Sequence, residues 1–346
     1  VNVVLLDSES RSSITVEAIM ERYQDGTLEP GAKFSWAGQD GGLNYLFHIE
    51  AEPQHQNQTG KEFSRDAAGN LLETRYDESS RERTDYQTSF NLGYQLEKSF
   101  IQFNGLYGGD CSPENKDRLI NDYVVNSFTT RQERELIDRC RDNWEAGGDY
   151  EYEFNNGSKY RFLFIVNSGQ YDSTRERFNV LADREEKDLF LYSEGRDQER
   201  IFRTSYTWDP LTSHGLEMGV ERAETIRDSD LRLGMAGFGS PSLNHGNLPP
   251  ISIDNSDSIV KEMRYENFLV HNWRVSDKVS VESSLIYETS NIKQTGDIFN
   301  KRDFDFLRPK IDYRYDITQS TQLRAKIEKR VSQLSFRDFS TSSDSQ

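Results

Sequence analysis

The sequence predicts an all-β fold, with one large antiparallel sheet that has an apolar face and an aqueous face. Side chains alternate with a period of two: across residues 86–96 the even positions are mostly apolar and the odd positions are small or polar. Successive strand residues point to opposite faces, so such a segment presents one side to water and one to an apolar medium. The same alternation restarts repeatedly along the chain, with short turns between the stretches.

In the N-terminal half the alternation predicts seven strands. Glycine-rich residues 38–42 turn one strand into the next, and residues 155–158, Asn-Asn-Gly-Ser, are a strong hairpin signal. The strands have apolar side chains at every second position and lie at residues 13–23, 32–36, 43–51, 86–96, 101–107, 144–154 and 160–166.

In the C-terminal half the same pattern predicts six more strands, about thirteen in all. Asp209-Pro210 and residues 275–278 and 316–320 supply turn residues between them. These strands lie at residues 202–208, 216–220, 265–273, 279–287, 307–315 and 323–331.

The connections at the two ends of these strands differ. The turns at one end are short, whereas the other end carries long polar segments at residues 54–83, 108–143, 170–200, 227–263 and 290–303. Short turns at one end and long loops at the other are typical of an outer-membrane barrel, with periplasmic turns and extracellular loops. We therefore expect an antiparallel transmembrane β-barrel.

Composition is compatible with this expectation. The chain has 346 residues, 34% hydrophobic and 12% aromatic, with a formal net charge of −17. A low apolar fraction suits barrel strands, because only every second residue faces lipid, and the aromatic content argues against disorder. The acidic balance argues against nucleic acid or an anionic membrane surface as the main partner.

Aromatic residues gather beside the short turns. Tyr and Trp favour a membrane interface because their rings are partly apolar and partly hydrogen-bonding, so we expect one aromatic girdle there. Strands also favour aromatics in general, which is the alternative explanation. The residues are Trp36, Tyr45, Tyr94, Phe154, Tyr160, Trp208, Trp273 and Tyr315.

Several segments resemble the TonB-dependent outer-membrane receptors. Residues 1–6, Val-Asn-Val-Val-Leu-Leu, are similar to the last strand of the plug domain in that family, and Leu43-Asn44-Tyr45 to the start of its third barrel strand. Residues 69–73 are similar to a loop hairpin tip, and residues 265–273 and 307–310 to strands of the middle barrel. The ordered series carries the resemblance, which covers nearly the whole chain.

The resemblance implies a barrel of about 22 strands around an N-terminal plug. Residues 1–8 are then the last strand of the plug, and residues 9–346 are the N-terminal part of the barrel, with about 13 strands, ending in an extracellular loop. We expect this sequence to be a fragment, with the TonB box, the rest of the plug and the remaining strands outside it. The implied location is the outer membrane of a Gram-negative bacterium.

The implied function is active uptake of a scarce nutrient: a ferric siderophore, haem, cobalamin, an oligosaccharide or a peptide. TonB, with ExbB and ExbD, would act through the missing N-terminal part, and outer-membrane lipid would surround the barrel. Neither catalysis nor a cofactor is expected. Two alternatives remain: a soluble or surface-attached β-sheet protein that binds glycans or proteins, and a passive outer-membrane barrel without TonB coupling.

The polar segments supply the candidate site residues. Cys111 and Cys140 bracket a stretch that looks partly helical, at residues 114–125 and 131–139, and a disulfide between them is expected in an extracellular loop; two free thiols are the alternative. His48, Glu50 and Glu52 share a strand face, where a hydrated lumen is a better explanation than a metal site. Loop residues that could contact substrate are Tyr171, Arg175, Arg177, Phe178, Phe190, Tyr192, Phe238 and His245.

Overall fold

The computed structural model describes residues 10–124, 127–331 and 336, and the predicted all-β antiparallel fold is confirmed within them. The expected plug strand at residues 1–8 and the expected loop end at 341–346 lie outside the described residues. The strands are β1 Arg11–Arg22, β2 Leu28–Asp40, β3 Leu43–Arg65, β4 Leu71–Gln95, β5 Ser99–Cys111, β6 Glu114–Val124, β7 Ser127–Glu153, β8 Lys159–Val180, β9 Glu185–Leu211, β10 His214–Met235, β11 Pro250–Ile251, β12 Asp257–Ser276, β13 Val279–Gly296, β14 Asn300–Asp316 and β15 Gln322–Glu328.

All fifteen strands belong to one sheet. Thirteen of them form its main path in chain order, β1-β2-β3-β4-β5-β7-β8-β9-β10-β12-β13-β14-β15, and every pairing is antiparallel. β6 lies between the upper parts of β4 and β7, and β11 pairs with β10. The number of strands on the main path agrees with the prediction of about thirteen. Among the described residues, β1 and β15 are the two edges.

The prediction of long polar loops was wrong for four of the five segments; residues 236–256, between β10 and β12, do form a long connection with only a 3-10 turn and the two-residue β11 in it. β3 and β4, for example, stay paired from Leu43↔Tyr94 to Arg65↔Leu71, with only residues 66–70 left as a turn. Both faces of these segments are mostly polar, so the alternation of apolar and polar residues that predicts a strand is missing. The hydrogen bonds between the two backbones nevertheless continue, and every second residue of each strand is bonded to this neighbour. The other four polar segments are therefore mainly extensions of the strands above the apolar part.

The prediction of partly helical segments at residues 114–125 and 131–139 was also wrong. Residues 114–124 form β6, which pairs with β4 along one edge and β7 along the other. Lys, Arg and Glu have good helix propensity, but propensity is a weak determinant beside tertiary pairing. Here Arg118 reaches carboxylates on both neighbouring strands, which only the extended form allows.

The two faces of the sheet differ in exposure. We call the face that carries Tyr86 and Tyr265 the outer face, and the opposite face the inner face; both continue into the extensions through strand alternation. Many outer-face apolar side chains are exposed, whereas buried apolar side chains such as Val260, Phe268 and Ile292 belong to the inner face. No helix among the described residues is long and apolar enough to cross a membrane.

Candidate functional site

An exposed apolar band runs across the outer face beside the short turns. In β12 it comprises Tyr265, Leu269 and Trp273, and each neighbouring strand adds alternate apolar residues at matching positions, such as Met218 in β10 and Leu285 in β13. These side chains are 41–52% exposed. Within the described residues no second sheet covers them, because all the strands belong to one sheet.

The lower edge of the band is a row of aromatic rings beside the short turns. The eight residues predicted for a girdle all lie at this end, within a few residues of the turns at 41–42, 96–98, 154–158, 212–213, 277–278 and 317–321. Ring contacts link neighbouring strands, as between Trp36 and Tyr45, whose centroids are 4.9 Å apart. At one turn Gly157 takes a φ of 80°, which lets the Phe154 amide donate to the Ser158 carbonyl at 2.8 Å.

A second aromatic row bounds the band at its upper edge, and sequence reasoning missed it. Its members are exposed and form two groups, one on β4, β5 and β7 and one on β12 and β13. Within each group, members on adjacent strands lie within two residues of one another, and Tyr107 pairs directly with Trp144. The Tyr86 and Tyr107 rings are 6.2 Å apart. The row consists of Tyr86, Tyr107, Trp144, Tyr265 and Tyr287.

The spacing between the two rows is eight to ten residues where one strand carries a member of each. Tyr94 follows Tyr86 and Trp273 follows Tyr265 by eight residues, and Phe154 follows Trp144 by ten, with Tyr152 between them. Eight strand residues span roughly 27 Å, or about 21 Å of height at a tilt of about 40°. This height is close to the roughly 25 Å apolar band of outer-membrane barrels, which aromatic girdles flank on both sides.

Above the band, the inner face carries a network of charges on β4, β6, β7 and β8. Arg118 donates to Asp77 at 2.8 Å and reaches Glu133 and Glu135 at 3.3 and 3.4 Å. Arg175 Nη2 lies 2.8 Å from the same Glu135 Oε1, and the Glu135 side chain is only 2% exposed. The network therefore joins four strands through groups that are largely removed from water.

The charge of Arg118 is well supported. Burial disfavours the charged form, but the hydrogen bond to Asp77 and the negative charge of Glu135 outweigh it, so the pKa of Arg118 lies above its ordinary value. The network can hold charged polar surface rigidly in place, and nothing in it resembles a nucleophile with its base.

The structure divides the predicted substrate contacts between the two faces. Tyr171, Arg175 and Arg177 lie on the inner face of β8, with Arg177 bound to Asp188 at 3.0 Å and the Tyr171 ring over Gly195. They are strand residues, contrary to the expected loop, and strand alternation turns their neighbours the other way.

The other candidates from these strands face outward. Phe178, Phe190 and Tyr192 share the outer face of β8 and β9, where the Tyr192 hydroxyl donates to Glu194 at 2.9 Å and the Phe190 ring contacts Gly246. The inner and outer groups therefore cannot contact one ligand together on a single face of the sheet.

The last two candidates lie between β10 and β11. His245 ends a 3-10 turn, Leu243–His245, and its Nδ1 is 3.2 Å from the Ser242 hydroxyl. Phe238 is fully exposed. A cavity of about 750 Å³ opens beside this segment; residues lining it include His245, Asn244, Asp230 and Asp254.

Cys111 and Cys140 are joined by a disulfide in the structure, with Cα atoms 4.0 Å apart at directly paired positions of β5 and β7. The bridge encloses β6, so it closes the base of the hairpin that carries Arg118. It lies on the outer face, just above Trp144 of the upper aromatic row.

A turn beside the upper edge of the band is tied to β3. Asp25, in the turn after β1, accepts hydrogen bonds from the Thr27 amide at 2.9 Å and from Asn57 at 2.5 Å, and lies 2.6 Å from His55 Nε2. The hydrogen bond from the Thr27 amide leads the effects that lower the pKa of Asp25 to about 2.

His48, Glu50 and Glu52 do not form a metal site in this arrangement. The two ring nitrogens of His48 lie 2.8 Å from the Ser35 hydroxyl and 3.2 Å from Glu50, and Glu52 binds Lys33 at 2.6 Å. Across the described residues, no group of three or more His, Cys, Asp or Glu side chains could hold a metal ion.

The comparisons with known proteins find a distant likeness among solved structures and none by sequence. No family model matches the chain, and no curated protein matches its sequence. Among solved structures, the chain is similar to the copper transporter OprC, with a TM-score of 0.22 and 8% identity over 93% of this chain. The match spans 60% of that structure's chain. A likeness at this level assigns no family, activity or cargo to the present chain.

Proposed function

We propose that this chain forms part of the transmembrane barrel of a TonB-dependent outer-membrane receptor, which imports a scarce nutrient. The observation that carries the membrane assignment is the exposed apolar band between two aromatic rows. The TonB coupling rests on the family resemblance of the sequence. The cargo class stays open among ferric siderophores, haem, cobalamin, oligosaccharides and peptides.

The exposed band argues against a soluble sheet protein. A soluble sheet buries its apolar face against a second layer, because exposing apolar area to water costs roughly 25 cal/mol per Å². Here the main strands contribute exposed apolar side chains to the outer face of the band, and at the same level the inner face carries ion pairs such as Arg308–Glu266 and Arg324–Asp312. Lipid on the outside and a hydrated interior account for both faces at once.

The strand extensions suit the outside of the cell. They all rise from the upper aromatic row, opposite the short turns, as the extracellular side of an outer-membrane barrel does. The inner-face network around Glu135 lies in these extensions, where an incoming polar ligand would pass it. We propose that Tyr171, Arg175 and Arg177 belong to this ligand-facing surface.

Membrane depth can be measured with tryptophan fluorescence. The full-length protein, reconstituted with lipids brominated at different depths, should show quenching of a tryptophan placed at Leu269, four residues from both Tyr265 and Trp273, mainly by deep bromines. A tryptophan placed at Phe63, an exposed outer-face residue of the β3 extension, is the matched control and should not be quenched. Equal quenching at both positions would reject the membrane band.

TonB coupling needs a separate test. Cells that express the full-length protein should take up its nutrient only while TonB and the proton gradient are intact. Uptake that persists without TonB would leave the membrane band in place and replace the receptor with a passive barrel.

A further inference from the structure

Cations cluster on the outer face directly above the upper aromatic row. Arg222 of β10 is paired with Tyr265 of that row, and Arg200 of β9 and Lys261 of β12 lie just above it. All three surround Glu224, with nitrogen–oxygen distances of 3.6, 3.3 and 2.5 Å respectively. The Glu224 side chain is nearly buried, and the three cations stay between a third and a half exposed.

A fourth cation extends the cluster onto β13. Lys293 lies directly opposite Lys261 in the strand ladder and is exposed. It forms no ion pair with the described residues, and its ammonium group lies 5.8 Å from the centroid of the Phe299 ring. Four cations and one carboxylate leave a local charge of about +3 in a chain whose net charge is −17.

This arrangement costs stability unless an anion binds it. Like charges directly opposite each other on adjacent strands are destabilising. The neighbouring Lys301 of β14 shows the contrast, because it lies opposite Lys293 but is paired with Asp303 at 3.4 Å. Other outer-face cations above the aromatic row have partners of their own, as Arg134 has with Asp117 at 3.0 Å and Arg196 with Gln170 at 2.9 Å.

We propose that Arg200, Arg222, Lys261 and Lys293 bind the phosphate groups of a lipid in the outer leaflet. The proposal rests on the membrane assignment above, which places the upper aromatic row at the interface. Lys261 lies four residues above Tyr265, roughly 10 Å higher at the usual strand tilt, within reach of the headgroup layer once its long side chain bends back towards the bilayer. Acyl chains of the same lipid would lie against the apolar band below.

The test uses the full-length protein with two forms of one lipid. Binding of diphosphorylated lipid A and of the same lipid stripped of its phosphates is compared by native mass spectrometry, for wild type, Lys261→Gln/Lys293→Gln and a control. The control, Arg134→Gln/Arg184→Gln, also removes two cations from the surface. Each of them already has a carboxylate partner, because Arg134 lies 2.7 Å from Glu185 and Arg184 lies 2.7 Å from Glu186.

We expect the wild type to prefer the phosphorylated lipid, and the lysine variant to bind it at least tenfold more weakly, since each cation near a lipid surface contributes roughly fivefold. The control should change binding by less than about twofold. Unchanged affinity in the lysine variant, or equal binding of the dephosphorylated lipid, would overturn the proposal. If millimolar inorganic phosphate displaces the lipid, the site binds a free anion and the proposal of a lipid ligand is wrong.

Vesicle flotation separates this proposal from the membrane assignment. If the wild type fails to float with phosphatidylcholine vesicles, the membrane assignment itself fails. If wild type and variants all float and fold alike, and only the phosphate preference is missing, the lipid site alone is wrong.

Discussion

An arginine in the middle of the apolar band is the sharpest test of the membrane assignment. Leu269 lies four residues from Tyr265 and four from Trp273, and its side chain is 45% exposed. Its outer-face neighbours across the ladder are Met218 and Leu285, so Leu269→Arg meets no carboxylate at its own level. The matched control is Ile259→Arg, on the same strand and face but in the extension, where Ile259 is 38% exposed.

The expected cost follows from the position of each residue. Leu269 lies between the two aromatic rows, roughly 10 Å in height from each, which is further than an arginine side chain reaches. The guanidinium would therefore stay near the bilayer midplane and lower the free energy of unfolding by about 2–4 kcal/mol. Ile259 lies outside the band, and an exposed surface substitution there should change the free energy of unfolding by no more than about 0.5 kcal/mol.

Urea unfolding of the full-length protein in phosphatidylcholine vesicles measures both costs, with the shift in gel mobility between heated and unheated samples as the readout of folded barrel. The difference between the two variants is the quantity of interest. If both arginines cost the same, within about 0.5 kcal/mol, the outer face meets water at both levels and the reasoning is refuted.

Three further outcomes are expected. Thiol titration should find no free thiol in the folded protein, and Cys111→Ser, which frees Cys140, should lower the free energy of unfolding by roughly 3–4 kcal/mol in the chain-entropy account, measured by urea titration. Glu135→Gln leaves two arginines without their shared buried carboxylate and should lower the free energy of unfolding by about 3–5 kcal/mol. The expected result is faster proteolysis of the β6 hairpin, whereas unchanged proteolysis would show that the network does not stabilise the hairpin. The pKa of Asp25 is lowered by folding to about 2 from 3.8, so its stabilisation of the turn is complete above pH 3.8 and is lost as the pH falls towards 2. Hydrogen exchange at the Thr27 amide should accelerate over that range and be pH-independent in Asp25→Asn after correction for intrinsic exchange.

The sequence predicted the fold where one strand face is apolar. Residues 86–96 and 265–273 alternate clearly, because every second side chain belongs to the exposed band. In the extensions both faces are polar, and the pairing of β6 depends on charges supplied by other strands, such as Arg81 of β4 binding Glu114 at 2.6 Å. Such a partner is invisible to a local pattern, so residues 114–125 looked helical.

The candidate site was predicted less well, for the same reason. Treating residues 170–200 as a loop removed the alternation that separates Arg175, on the inner face, from Phe178, on the outer face. The upper aromatic row carried a usable signal, since Tyr86 and Tyr265 precede Tyr94 and Trp273 by the same eight residues. The charge cluster around Glu224 carried none, because its cations come from strands that only the register brings together.

The form of the exposed band distinguishes lipid from a protein partner. A second protein would cover a patch with the shape of its own contact surface. The edges of such a patch need not lie at the same height on every strand. Here Tyr and Trp mark two edges eight residues apart on β4 and on β12, which are six places apart in the sheet order. Two parallel boundaries at constant separation are what a planar slab imposes, because each strand must change from apolar to polar at the same two depths. The cluster of cations around Glu224 lies at the upper boundary, which agrees with our proposal that lipid phosphate groups lie on the side of the strand extensions.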